Sequence, residues 1–220
     1  MTSNKYILKK DILIIIPAKD EYLNLKVLFK HLKKFKIKIL IIDDNSKDKT
    51  NKIAKLFPKV KLIKNRISCG YDECIKKGLR FAKSRYKYAI TMDADFEHDP
   101  KYIPKFIKKL SKYNLVIGNR DRKNRILEII FGFFFEKKYK IKDLFCGYRG
   151  INLKLVDSKN LSRKIDMPQI IFNLNKKNIT TTNINIKSTK RLDKSRFGNS
   201  IYGNYKIFTQ FIKIFLRNFR

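Results

Sequence analysis

Between positions 90 and 100 the chain reads I-T-M-D-A-D-F-E-H-D-P, which places Asp93, Asp95, Glu97 and Asp99 within a few residues of one another. Like charges this close repel, so the run calls for a positive partner, either a protein cation or a metal ion. Asp93 and Asp95 are two apart at the end of an apolar run, where extended backbone alternates faces. A bend, or the cation itself, must bring them to one ligand. Carboxylate oxygens suit a hard ion such as Mg²⁺ or Mn²⁺. Asp99 precedes Pro100 and reads as the cap of a following helix, with His98 as a structural neighbour of the site rather than a ligand. Arg149, in F-C-G-Y-R-G with few charges nearby, offers a planar fork suited to phosphate.

Short apolar runs bounded by turn residues recur at 11–17, 37–44, 60–64, 88–93 and 115–118, and these predict buried strands. Within 21–35, Leu25, Leu28, Phe29 and Leu32 fall at helical spacing, and 71–85 and 101–112 are similarly helix-like. Strand, helix, strand repeated in this way predicts an α/β fold with a mainly parallel sheet. In such sheets ligands bind outside the carboxyl ends of the strands. Four of the strands end in polar clusters, P-A-K-D-E, D-D-N-S, D-A-D and G-N-R. Each alone also reads as a turn or helix cap; in parallel strands all four face one crevice.

Composition bounds the rest. With 220 residues and 43% hydrophobic content the chain buries a sizeable core, most simply as one domain. Fifty-three Lys and Arg against nineteen Asp and Glu give a formal charge of +34, which suits a polyanionic partner: nucleic acid, an anionic membrane surface or a phosphorylated substrate. Codon bias of an AT-rich genome produces the same Lys, Ile, Asn, Phe and Tyr excess, so charge alone selects no function. Cys69, Cys74 and Cys146 are odd in number and without C-x-x-C spacing, which fits packing residues in a reduced, intracellular compartment. The polar start, M-T-S-N-K-Y-I-L-K-K, leaves no room for a targeting helix before the first strand. The longest apolar run, 126–135, contains Glu128 and is about half a bilayer span, so no transmembrane helix is expected.

Taken in order and spacing, I-L-I-I-I-P-A-K-D-E, I-L-I-I-D-D-N-S-K-D-K-T, I-T-M-D-A-D-F-E-H-D-P, V-I-G-N-R and C-G-Y-R-G resemble glycosyltransferase family 2, in particular its dolichyl-phosphate mannose synthase-like branch. The resemblance covers roughly residues 11–200. It implies a GT-A, Rossmann-like fold with helices on both faces of the sheet, a nucleoside diphosphate-sugar donor, a divalent metal (Mg²⁺ or Mn²⁺) and an inverting transfer. By position it implies that Pro17, Lys19 and Glu21 border the nucleoside, with Asp44 at the base. Asp93 and Asp95 would hold the metal, Arg120 would lie beside the phosphates, and Arg191, Ser195 and Arg196 would form a basic loop over them. The chain departs from the pattern at Asp20, at G-Y-D (70–72), in K-R-L-D-K-S-R-F-G and at Gln169.

Displacing a sugar from a nucleoside diphosphate puts negative charge on the departing diphosphate, which a carboxylate-held cation neutralises. The acceptor is expected to be a polyprenyl phosphate, contacted by Arg149 and Arg125, since an anionic acceptor needs alignment but no base. The alternative is a glycan hydroxyl in polysaccharide synthesis, with Asp157 or Asp166 as base. Residues 1–200 are expected to form the GT-A domain. Residues 201–220 are expected to form an amphipathic helix that either touches the cytoplasmic face of a membrane or packs on the domain. A pyrophosphorylase lacks its glycine-rich loop and a D-x-D phosphatase lacks an early-strand nucleophile; a basic nucleic-acid-binding protein, which would explain the +34 charge, is the runner-up by class, but no recognition motif is present and no specific nucleic acid is expected.

Overall fold

The computed structural model describes residues 7–122, 126–175, 179–189 and 200–218. Its apolar runs form strands Ile12–Ala18 (β1), Lys38–Asp43 (β2), Val60–Lys64 (β3), Tyr88–Thr91 (β4) and Leu115–Arg120 (β5), joined by Arg149–Asn152 (β6) and Thr181–Ile186 (β7). These make one seven-stranded sheet in the order β3-β2-β1-β4-β6-β5-β7. Only the pairings of β6, with β4 and with β5, are antiparallel.

Alternation along the strands sorts the core into two layers. Leu13 and Ile15 of β1, with Leu40 and Ile42 of β2, join one cluster. It takes in helices Tyr71–Lys83 (α2), Ile126–Tyr139 (α4), Ser158–Ser162 (α5), Met167–Asn175 (α6) and Ser200–Asn218 (α7). Ile12, Ile14 and Ile16, with Ile39 and Ile41, face the other way onto Tyr22–Leu32 (α1) and Ile103–Leu110 (α3). Each buried aliphatic side chain contributes about 1.5–3 kcal/mol, so a sheet covered on both faces holds the strand ends rigidly. The α2–β1 approach is close enough to require glycine: a Cβ on Gly78 would strike Ile15 Cγ2.

The structure refines several sequence expectations. β4 stops at Thr91, ahead of the carboxylates, and β5 runs on through Gly118-Asn119-Arg120, so G-N-R is strand rather than the loop after it. The C-G-Y-R-G motif leads into β6, a central strand that the sequence did not announce. The apolar run beginning at 126 is helix α4. The terminal helix packs on the domain, with Ile207 and Ile214 buried and Phe211 stacked on Phe131 of α4 at 3.8 Å between ring centroids. It also keeps Phe208, Phe215 and Leu216 exposed. Among the described residues no helix is long and apolar enough to cross a membrane.

Candidate active site

The carboxyl ends of β1, β2, β4 and β5 share one edge of the sheet with the amino end of antiparallel β6. Three non-glycine residues just beyond strand ends on this edge adopt positive φ: Asp20 (50°), Asn45 (60°) and Phe96 (66°). Left-handed backbone is costly for such residues, and its concentration at one edge marks a functional crevice.

After β4 the chain bends through Phe96, and Asp95 Oδ1 accepts from the Glu97 amide at 3.1 Å. His98 is buried and its Nδ1 accepts from the Asp93 amide at 3.0 Å. The same ring nitrogen stands 3.6 Å from the Asp93 carboxylate. His98 thus fixes the Asp93 backbone. Asp99 accepts from the Lys101 amide and caps the turn that follows.

Asp93 Oδ1 is buried and has no hydrogen-bond partner among the described residues. Around it stand the Tyr71 hydroxyl and Gly147, where a Cβ would come within 2.5 Å of the Tyr71 hydroxyl and 2.7 Å of Asp93 Oδ1. Burial, and next the Asp93 carboxylate, push the Tyr71 phenol well above its ordinary pKa, so it stays neutral. An orphaned carboxylate oxygen, a second carboxylate two residues on and a pocket wall stripped to glycine fit a hard divalent cation; Asp93 and Asp95 are the residues that would hold it.

The other predicted residues fall into three groups. Asp44, at the end of β2, is buried and accepts from the amides of Cys69 (2.8 Å) and Gly70 (2.9 Å), from Asn65 Nδ2 (2.9 Å) and from Ser68 Oγ (2.8 Å). Burial opposes its ionisation, but these four donors outweigh burial and hold the carboxyl well below the usual range. Lys19 reaches the same loop through Ser68 Oγ at 2.9 Å. Pro17 pairs with Ile42 in the strand register, and the Glu21 amide donates to Thr50 Oγ1 at 2.8 Å. The turn after β1 is thereby tied to the turn after β2.

Arg120 and Arg149 occupy different surroundings from those the motifs suggested. Arg120 does not hold its fork open to the crevice: Nε and Nη2 donate to the two oxygens of Asp143 at 2.8 and 3.1 Å, with Glu128 at 3.3 Å from Nη2. Burial works against its charge, but Asp143 and then Glu128 more than restore it. Arg149 is 1% exposed; Nη2 donates to the Leu144 carbonyl at 3.1 Å. Its charge lowers the Tyr71 pKa against the stronger opposite pull of Asp93. Arg191, Ser195, Arg196 and Arg125 lie outside the described residues.

Tyr71, Gly147, Asn65 and Ser68 were not singled out from the sequence. The rule that found the other clusters reaches two of them, since N-R-I-S-C-G follows the run at 60–64 just as D-D-N-S follows its own strand.

A mainly parallel sheet covered on both faces, with a D-x-D turn at its carboxyl edge, is the architecture of a GT-A glycosyltransferase. A mannosyltransferase from Pyrobaculum calidifontis, solved in complex with GDP-Man and Mn²⁺, shares this fold with a TM-score of 0.67, covering 96% of this chain and 64% of that one at 13% identity. Residues 13–154 match the model of Glycosyl transferase family 2, and the chain belongs to that family. An uncharacterized protein of Methanocaldococcus jannaschii is 35% identical over 164 residues, 64% of this chain and 72% of that protein. The dolichol-phosphate mannosyltransferase of Saccharomyces cerevisiae is 29% identical over 118 residues, 49% of this chain and 43% of the yeast protein. The chain therefore spans less than half of that relative.

Proposed function

We propose that the chain transfers a sugar, with inversion, from a nucleoside diphosphate-sugar to a polyprenyl phosphate, at a membrane surface. Asp44 and its donors, with Pro17, Lys19 and Glu21, form the nucleoside side of the crevice. Asp93 and Asp95 hold a divalent ion, Mg²⁺ or Mn²⁺, whose Lewis acidity offsets the charge on the departing diphosphate. His98 holds the Asp93 backbone through its amide, and the Tyr71 hydroxyl stands beside the Asp93 carboxylate against Gly147. GDP-mannose is the first donor to test, because a structural neighbour was solved with GDP-Man and a sequence relative is a dolichol-phosphate mannosyltransferase.

The observation that carries the acceptor assignment is a groove of about 660 Å³ on the same sheet edge. It is lined by Asn119, Arg120, Asp121, Arg122, Asn185, Ile186 and Ile129. With Arg120 occupied by Asp143, the exposed Arg122 is the cation that meets a phosphate there. Ile129 leads onto the outward face of α4, where Ile126, Ile130 and Phe133 are exposed beside the exposed residues of α7. A groove that carries the exposed Arg122 and opens onto apolar helices suits an anionic headgroup with its chain in a lipid surface. A hydroxyl acceptor needs a base, and Asp157 supplies none: it caps α5, whose Ser158 hydroxyl accepts from Lys83, at the end of α2 away from Tyr71. Asp166 lies nearer, because Met167 donates to Asp72 in the first turn of α2.

The test supplies GDP-mannose and UDP-, CDP- and dTDP-sugars with Mn²⁺ to either a polyprenyl phosphate or a phosphate-free glycan. Transfer to the lipid phosphate is expected, lowered on the order of a hundredfold by Asp95→Asn and clearly reduced by Arg122→Ala. Wild-type turnover by a folded Asp93→Asn/Asp95→Asn protein would overturn the metal assignment. Transfer to the glycan, lost in Asp166→Asn and indifferent to Arg122→Ala, would overturn the acceptor.

A further inference from the structure

Cys69 and Cys74 were expected to be packing residues. Cys74 is buried, but Cys69 is exposed, and both are free thiols. Their sulfurs are 3.9 Å apart, Cys69 Sγ is 3.4 Å from Asp44 Oδ1, and all three donor atoms lie within 4.8 Å of one another. A tetrahedral zinc ion with Zn–S of about 2.3 Å and Zn–O of about 2.0 Å sets edges of about 3.8 Å between sulfurs and about 3.5 Å between sulfur and oxygen. The two edges made by Cys69 fall within a few tenths of an ångström of these values, and the third, between Cys74 and Asp44, is within 4.8 Å.

A second feature points the same way. Asn65 Nδ2 lies 2.9 Å from Asp44 Oδ1, 3.0 Å from Cys69 Sγ and 3.4 Å from Cys74 Sγ. One NH₂ group has two protons for three acceptors, so the positive end of an amide dipole stands where three potential ligands converge.

We propose that Asp44, Cys69 and Cys74 form a binding site for a thiophilic divalent cation, zinc in the first instance, which enters past the exposed Cys69 and takes the place of the Asn65 amide. Binding releases the two thiol protons to solvent and leaves two thiolates, a carboxylate and Zn²⁺ with one net negative charge. Lys77, 2.7 Å from Asn65 Oδ1, and Lys19, bonded to Ser68, stand beside it, while Glu73 adds negative charge near Cys69. The S₂O donor set selects against Mg²⁺ and Mn²⁺, which separates this site from the Asp93–Asp95 turn. The site shares Asp44 with the nucleoside side of the proposed crevice, so a bound cation and a nucleotide compete for that carboxylate, whereas the metal titration reads the site without any nucleotide.

To test it, the full chain, reduced and stripped with a chelator, is titrated with Co²⁺ alone and then with Zn²⁺ as competitor. The expected result is thiolate-to-cobalt charge-transfer absorption in the near ultraviolet that zinc abolishes and Mn²⁺ does not. Cys69→Ser and Cys74→Ser should each weaken zinc binding by about a hundredfold or more, with Asp93→Asn binding as wild type. Absence of charge transfer in the wild type, unchanged affinity in Cys69→Ser, or equal loss in Asp93→Asn would overturn the site. Because Cys69 is exposed, its serine variant decides the matter even if Cys74→Ser does not fold.

Discussion

Replacing Gly147 by alanine adds one methyl group to the wall beside Asp93. That carbon would stand 2.5 Å from the Tyr71 hydroxyl and 2.7 and 3.1 Å from the two Asp93 oxygens. An ordinary carbon–oxygen contact is about 3.4 Å, so Tyr71 and Asp93 must yield by roughly 0.7–0.9 Å. Gly147 does not use positive φ, so the perturbation is one of space and not of backbone strain. A misplacement near 1 Å costs on the order of a hundredfold in rate, while overpacking costs about 1–3 kcal/mol in stability. Turnover, followed as nucleoside diphosphate release, should therefore fall roughly 30- to 100-fold, with weaker Mn²⁺ binding read by the resonance of the free ion. Gly78→Ala, which crowds Ile15 on the covered face of the sheet, should cost comparable stability and leave Mn²⁺ affinity alone. A folded Gly147→Ala protein with wild-type turnover and Mn²⁺ affinity would refute the placement of the ion at Asp93.

Arg120→Ala strands two buried carboxylates, Asp143 and Glu128, and should cost about 3–5 kcal/mol in urea unfolding; an unchanged midpoint would mean that the triad is not structural. The Asp44 carboxyl is held below the unfolded value of about 3.9. Its contribution is thus complete at neutral pH, declines below about pH 4 and is gone once pH falls beneath the native value. Asp44→Asn should therefore be destabilising at about pH 7, with the gap to wild type narrowing toward about pH 3, and a gap independent of pH would contradict the depressed value. Phe133→Asp combined with Phe215→Asp removes exposed apolar surface from α4 and α7. Binding to anionic vesicles should drop about tenfold or more with turnover on a short, water-soluble acceptor retained, and undiminished binding would exclude this face.

The strands that the sequence revealed are those whose burial on both faces makes them continuous apolar runs, as in Ile12–Ile16 and Leu40–Ile42. β6 carries Arg149 and Gly150 in four residues, and β7 reads T-T-N-I-N-I. Neither has a run long enough to register, and both are strands because neighbours distant in sequence supply their ladders. The site divides likewise. Asp93 and Asp95 were legible because carboxylates at a strand end are unusual in so basic a chain. The fate of Arg120 was not, since Asp143 sits in I-K-D-L-F, where nothing local shows that it will reach back 23 residues. Gly147 looked like one more loop glycine, although its role is set by Tyr71 and Asp93, which crowd the space its missing side chain would fill and are both far from it in sequence.

The late place of β6 in the chain bears on how the molecule is assembled during synthesis. Strands β3, β2, β1 and β4 are all complete once residue 91 has been made, but the free side of β4 is paired only by residues 149–152. At about 5–20 residues per second the intervening chain takes several seconds to emerge. Throughout that interval a bare, apolar strand edge lies next to the future Asp93 turn, open to pairing with any other extended chain. Only when β6 docks does Gly147 reach Asp93, so closing the sheet and completing the site are one event, and a nascent chain stalled before it carries the carboxylates without the wall that shapes them.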